Sequence, residues 1–285
     1  MSTLNIEKDN NAIVTLAIGD KYYSLWKKYC KHSWEKYAAK YDLDIIVIDQ
    51  MIDTSERANN RSPAWQKCLT LNQNKIKYFD QVAWIDSDIV INHCNAPNIF
   101  DEVPLKKLGA VNYYSIPSSF TIKNFQHKVY NYYKEQYIEI NKDFNAYLYY
   151  ANSKLEKKFN KVIHTGVMIC SPKNHNYIFE KTYNDYANTH PHYEMPFLSF
   201  EILKNTEVKW LNPEFNALWL VYKFMYYDYL IYKKNNFLLK LYRQFNELSL
   251  TQEAIKSVFN NNYFLHFAGS QADMLKTGFL NKGKV

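Results

Sequence analysis

Two carboxylates at alternate positions, Asp86 and Asp88, interrupt the apolar run Val82-Ala83-Trp84-Ile85-Asp86-Ser87-Asp88-Ile89-Val90-Ile91. An isolated buried carboxylate is costly, so such a run is a poor place for two of them. Side chains two apart on an extended backbone point the same way, and small Ser87 leaves room between them for a ligand. Paired carboxylate oxygens suit a hard divalent ion, Mg²⁺ or Mn²⁺, which keeps open positions for phosphate oxygens. Two other readings stand beside this one. The pair could be a polar turn at a strand end, or Asp86 could be the nucleophile of a phosphatase of the D-x-D-x-T type. Val90 occupies the position where the latter needs threonine.

The elements around the pair are those of an α/β layer. Ala12 to Ile18 reads as a buried first strand, Tyr22 to Tyr41 as an amphipathic helix, and Asp44 to Asp49 as a second buried strand. Together they predict a β-α-β unit with parallel strands and a right-handed crossover. Ligands of such sheets gather at the carboxyl ends of the strands, which directs Thr15, Ala17 and the Gly19-to-Tyr23 turn to the site that Asp86 and Asp88 face. A polar loop with Arg57 and Arg61 leads to Pro63, which opens a predicted helix to Phe79 carrying Lys67 in its first turns.

Leu108 to Val111 predicts another strand, and the sheet returns over Val162 to Cys170, where a strand glycine, Gly166, permits close approach by a ligand. A helix to about Asn188 follows, and Pro196 starts the next one with Glu194 just outside it. The tyrosine- and lysine-rich stretch 113–160 reads as an inserted helical subdomain, a common home for acceptor recognition. The aromatic, basic stretch 218–248 reads as a second insertion. Its residues 218–245, among them Tyr232, Lys233, Lys234, Phe237 and Leu238, fit a core-packed helical pair or a membrane interface. Ser249 with Gln252 forms a capping-box pattern opening a helix to about Phe259.

A chain of 285 residues fits one large α/β domain spanning 1–285. No stretch approaches the roughly 20 apolar residues of a membrane span, and residues 1–11 are polar, which predicts a soluble, cytoplasmic protein. Cys30, Cys68, Cys94 and Cys170 are widely spaced, which predicts reduced thiols and no zinc site. The net charge of +7 comes from scattered lysines without a helix-turn-helix, RRM or zinc-finger pattern, so nucleic acid is not the expected partner. An anionic nucleotide or an anionic membrane surface suits that charge better. With 26 tyrosines beside abundant Asn and Lys, base composition accounts for much of the aromatic content, and a tyrosine is not by itself a sugar platform.

Trp84-Ile85-Asp86-Ser87-Asp88 resembles the D-x-D signature of GT-A glycosyltransferases, particularly those reading W-x-D-S-D. Further along, His164-Thr165-Gly166-Val167 resembles their N-T-G-V strand with His164 in place of Asn. Leu211 to Asn216 resembles their L-x-x-x-F/Y-N segment, and His266 with Gly269 the C-terminal H-x-x-G of the retaining, glycogenin-like group. These occur in the family's order and cover most of 12–270.

The resemblance implies a GT-A, Rossmann-like, mostly parallel mixed sheet flanked by helices. It also implies a divalent metal, Mn²⁺ or Mg²⁺, held by Asp86, Asp88 and His266. That metal would bridge the diphosphate of a nucleoside diphosphate sugar, UDP- or GDP-linked. Thr15, Ala17 and Tyr22 would hold the base, while Lys67, Asp86, Ser87, Gly166 and Gly269 would line the donor. Glu194 would lie near the donor sugar, and His164 would meet the sugar or acceptor. Two departures stand out: Met195 replaces a Gln, and Gln271-Ala272-Asp273 replaces K-P-W, leaving Lys276 as the nearby lysine. The expected activity is transfer of a sugar to a saccharide, lipid-linked or protein acceptor, with possible peripheral membrane contact through 218–245. A non-catalytic nucleotide-sugar or glycan-binding protein of the same fold is the alternative.

Overall fold

The computed structural model describes residues 10–115, 145–187, 192–231 and 237–280, with the backbone alone over 237–245. Strand β1 (Asn11–Leu16) is followed by Gly19, whose φ of +82° turns the chain into α1 (Asp20–Tyr29). The single helix expected to Tyr41 is broken at Cys30, and α2 (Lys31–Tyr41) starts afresh. On a straight helix Trp26 and Trp34 would sit about 12 Å apart along the axis. The break lets their rings pack edge to face at 5.9 Å. Strand β2 (Asp44–Ile48) pairs only with β1, so it is a half-exposed edge rather than the buried strand expected.

Helix α3 (Glu56–Asn59) is capped by Ser55, and the predicted helix to Phe79 is instead a 3₁₀ run over Pro63–Asn72. Its tighter winding buries Trp65, Gln66, Lys67 and Cys68 in succession, which a one-faced α-helix cannot do. Gln66 is satisfied there by accepting from the Ile52 and Asp53 amides.

The apolar run around the two aspartates is not one strand. It divides into β3 (Gln81–Ile85) and β4 (Ile89–Ile91), and residues 86–88 form the turn between them. The remaining elements are β5 (Leu108–Asn112), α4 (Ala146–Asn152), β6 (Ile163–Cys170), α5 (Pro172–Asp185), α6 (Met195–Asn205) and β7 (Val208–Trp210). A 3₁₀ turn over Pro213–Asn216 then leads to β8 (Ala217–Leu218), α7 (Trp219–Tyr226), α8 (Phe237–Asn260), β9 (Phe264–His266) and α9 (Gln271–Met274). Ser249 lies inside α8, so the capping-box pattern there opens no helix. Of the predicted insertions, 116–144 and 232–236 lie outside the described residues. In the second, Trp219, Phe224, Met225 and Leu230 are buried, in keeping with core packing, while Tyr226 and Tyr229 are exposed.

The main sheet has six strands in the order β2-β1-β3-β6-β5-β7, and a small sheet has three in the order β4-β9-β8. The main sheet is mixed, because β6 runs antiparallel to both β3 and β5 while the other pairs are parallel. Alternation puts Ile13, Ala83, Ile85 and Val167 on one face with α1, α2 and the small sheet. Ala12, Val14, Trp84 and Met168 face the 3₁₀ run, α5 and α6 on the other.

The outer edge of β4 is closed by side chains of α2. Trp34 Nε1 donates to the Ile89 carbonyl at 2.8 Å, and the Ile91 amide donates to Ser33 Oγ at 3.1 Å. On the opposite side Arg57 and Arg61 donate to the Tyr183, Asn184 and Tyr186 carbonyls, which pins their loop to the C-terminus of α5. The four cysteines are free, and only Cys94 is exposed. No described helix is long and apolar enough to cross a membrane.

Because β4 leads directly out of the aspartate turn, its anchoring to α2 should be felt in stability. Trp34→Phe keeps the ring packed but leaves the buried Ile89 carbonyl without its donor. The expected loss is about 1–3 kcal/mol, read as a lower denaturant midpoint at unchanged slope.

Candidate active site

The turn at 86–88 is held from both sheets at once. The Asp86 amide donates to the Gly166 carbonyl of β6 at 2.9 Å, and the Phe267 amide, just beyond β9, donates to the Asp88 carbonyl at 3.0 Å. Pairing of Ile89 with His266 sets the imidazole opposite the turn. His266 Nε2 consequently lies 3.1 Å from Asp88 Oδ1 and 3.8 Å from Asp86 Oδ2. One ligand atom from each of the three residues falls within 4.8 Å of the others. His266 is buried and forms the floor, while the aspartates are partly open to solvent. The aspartates converge through the meeting of two sheets, not through the alternation of one extended strand.

Asp86 is further fixed by Trp84, whose Nε1 donates to Oδ1 at 2.9 Å, which explains the tryptophan two residues before the aspartate. Lys67 reaches the same oxygen at 3.3 Å and Glu194 Oε1 at 2.8 Å. It also donates to the Thr165 carbonyl at 3.0 Å. That carbonyl lies where the β5–β6 register shifts, between the pairs Ala110–Met168 and Val111–His164. Lys67 is thus a buried structural cation of the site rather than a lysine extended into solvent. Burial would lower its pKa, but Asp86 first and Glu194 second hold it up and keep it charged. Burial likewise pushes the Asp86 carboxyl upward, and Lys67 and then His266 more than offset this. Glu194, buried at the entry to α6, also accepts from Thr165 Oγ1 at 3.1 Å.

Beneath His266 lies a second imidazole. His164 is buried, stacked on Tyr113 at 5.6 Å between ring centroids, and its Nδ1 is 2.9 Å from Asn216 Nδ2 and 3.2 Å from the Gly166 amide. Burial, and next the nearby His266, push its pKa down to about 3, so the ring is neutral. The other amide atom of Asn216 is 2.7 Å from His266 Nδ1. The expected reason for Gly166 was approach by a ligand; what approaches it here is His266. A Cβ at position 166 would stand 2.5 Å from His266 Cε1 and 3.0 Å from His164 Cε1.

The other expected residues frame this centre. The β1–β3 register, Val14 beside Trp84, brings the end of β1 to the edge where Asp86 leaves the sheet. Thr15 is fully buried there with its hydroxyl unpartnered, and the Ala17 amide donates to the Ile48 carbonyl. Tyr22 is exposed on α1, and Ser87 is half-buried in the turn. Gly269 has φ +66°, and a Cβ there would make only an ordinary contact with Leu220 at 3.9 Å, so it is the left-handed backbone that favours glycine. Lys276 pairs with the buried Asp273, which also binds Lys223 and the Trp219 indole. Sequence reasoning did not single out Trp84, Thr165 or Asn216 as site residues. Asn216 was within reach, since it ends the L-x-x-x-F/Y-N segment.

Gly166→Ala should displace His266 from the aspartates and lose about 1–3 kcal/mol of stability through overpacking. Chemical denaturation checks the stability, and a crystal structure of the variant checks the displacement of the ring.

No protein-family model matches the chain, and no curated protein matches it in sequence. Solved structures do match in fold. A glycosyltransferase involved in glycosylation of the major capsid of PBCV-1 superposes with a TM-score of 0.50 at 13% identity, over 95% of this chain and 98% of that one. The bifunctional glycosyltransferase WbbM in its apo form superposes with a TM-score of 0.52 at 11% identity, over 96% of this chain and 50% of that one, so this chain spans half of WbbM's length. The chain has the GT-A fold found among glycosyltransferases.

Proposed function

We propose that this protein is a metal-dependent glycosyltransferase of one GT-A-like domain. It moves a sugar from a UDP- or GDP-linked donor to a saccharide, lipid-linked or protein acceptor. The observation that carries this reading is the convergence of Asp86, Asp88 and His266 at the ligand-binding edge of a GT-A sheet. The donor set fits a divalent cation: two carboxylate oxygens and one imidazole nitrogen suit Mn²⁺ or Mg²⁺. When bound, that ion supplies positive charge to the leaving diphosphate. The buried Thr15 hydroxyl, Ala17 and Tyr22 receive the nucleoside, and Ser87 and the Gly269 backbone line the diphosphate. Lys67 holds Asp86 and Glu194 in place through its ion pairs with both. Glu194 lies beside the donor sugar, where its carboxylate acts on the transferred group. The protein works in the cytoplasm, at the inner membrane face where its acceptor is lipid-linked.

Asp88→Asn should abolish Mn²⁺-dependent binding of a nucleotide sugar while circular dichroism stays native. Calorimetric titration with donor and Mn²⁺ decides this, and wild-type binding in the variant overturns the metal assignment. Glu194→Gln should lower kcat on the order of 10²-fold with little change in donor affinity, because the lost interaction belongs to the transition state. Steady-state kinetics that leave kcat intact and weaken donor binding instead would reduce Glu194 to a donor-orienting group.

A further inference from the structure

The two histidines and Asn216 form a row of hydrogen bonds whose proton positions can be read from one end. The Gly166 backbone amide lies 3.2 Å from His164 Nδ1, and an amide N–H can only donate. His164 Nδ1 is therefore an acceptor, and its neutral ring carries hydrogen on Nε2. The Asn216 atom 2.9 Å from the same Nδ1 must also donate, which makes it the NH₂ group. The amide oxygen then faces His266 Nδ1 at 2.7 Å and can only accept. His266 accordingly carries a hydrogen on Nδ1, and in the neutral ring the Nε2 lone pair points at Asp88, 3.1 Å away, and Asp86, 3.8 Å away.

The opposite orientation of the amide would reverse both rings. His266 would donate from Nε2 to Asp88 and could not bind a cation, and the hydrogen on His164 Nδ1 would collide with the Gly166 N–H. A fixed backbone donor in β6 thus chooses between a hydrogen-bonding and a metal-binding imidazole. We propose that His164 and Asn216 are positioning residues that lock His266 in the tautomer whose Nε2 is free for a divalent cation. This rests on the metal-holding role given above to Asp86, Asp88 and His266. It places His164 beneath the site, as the group that orients the Asn216 amide, instead of against sugar or acceptor. Asn216 is itself buried, so no bulk water competes for its amide.

The test uses the full chain labelled with ¹⁵N-histidine, free of metal, at a pH roughly 2 units above the ordinary imidazole value. Two-bond ¹H–¹⁵N spectra should show His164 protonated on Nε2 and His266 on Nδ1. Asn216→Ala should release His266 into a mixture of tautomers and weaken Mn²⁺ affinity, measured by calorimetry, by about 10–100-fold. Asn216→Asp keeps an acceptor for His266 Nδ1, so it should retain that tautomer and recover most of the affinity, which a purely structural role for Asn216 would not produce. A wild-type His266 protonated on Nε2 overturns the proposal, and so does wild-type Mn²⁺ affinity in Asn216→Ala. If Asn216→Ala does not fold, the wild-type and Asn216→Asp spectra and titrations still decide. Tautomers as stated in a wild type that binds no Mn²⁺ would support the lock and overturn the metal reading, so the two can fail separately.

Discussion

The carboxylates Asp86, Asp88 and Glu194 gather at one edge of the main sheet against a single buried ammonium, Lys67, and the surrounding structure depends on that imbalance of charge. Lys67 contacts Asp86 and Glu194 directly and leaves Asp88 to His266. Carboxylates crowded in this way resist ionising together unless cations or donors face them. The chain supplies those groups from separate elements: Lys67 from the 3₁₀ run, the Trp84 indole from β3, and Thr165 from the irregular stretch of β6. The three carboxyl groups outnumber the one ammonium.

Holding these groups in register is the work of two sheets that meet at the 86–88 turn. The main sheet presents Gly166, the small sheet presents His266, and each hydrogen-bonds to the backbone of the turn. The sheets can come this close only because position 166 has no side chain to strike the imidazole. On its outer edge the small sheet is braced by Trp34 and Ser33 of α2, which leaves β4 no free edge to slide along. Displacement of α2 would therefore reach Asp88 through β4, although α2 holds none of the charged groups of the cluster.

The abundance of tyrosine has a structural explanation away from any ligand. Tyr37 and Tyr150 are fully buried, and their hydroxyls donate to the Pro97 and Lys161 carbonyls. Tyr183, beneath the Arg57 and Arg61 guanidinium groups, donates to Asp53. Such rings fill the core and close its polar ends at once. A composition that could be taken for a set of sugar platforms is to this extent spent on packing.

The sequence by itself determined the β-α-β beginning of the sheet and the pair Asp86 and Asp88, and a resemblance in short motifs pointed to His266 and Glu194. All of these are local patterns of hydrophobicity or short motifs. It misjudged elements whose conformation is set by distant partners. The break between α1 and α2 depends on packing between Trp26 and Trp34, and the 3₁₀ run depends on burying Gln66 and Lys67. The division of Val82 to Ile91 depends on pairing with β6 and β9, about 80 and 180 residues further on. The reason for Gly166 and the place of Asn216 are likewise contacts across the fold. Hydrophobic period reports which residues are buried; which of them touch, and which way an amide or imidazole must turn to satisfy its neighbours, is decided only when the two sheets close on one another.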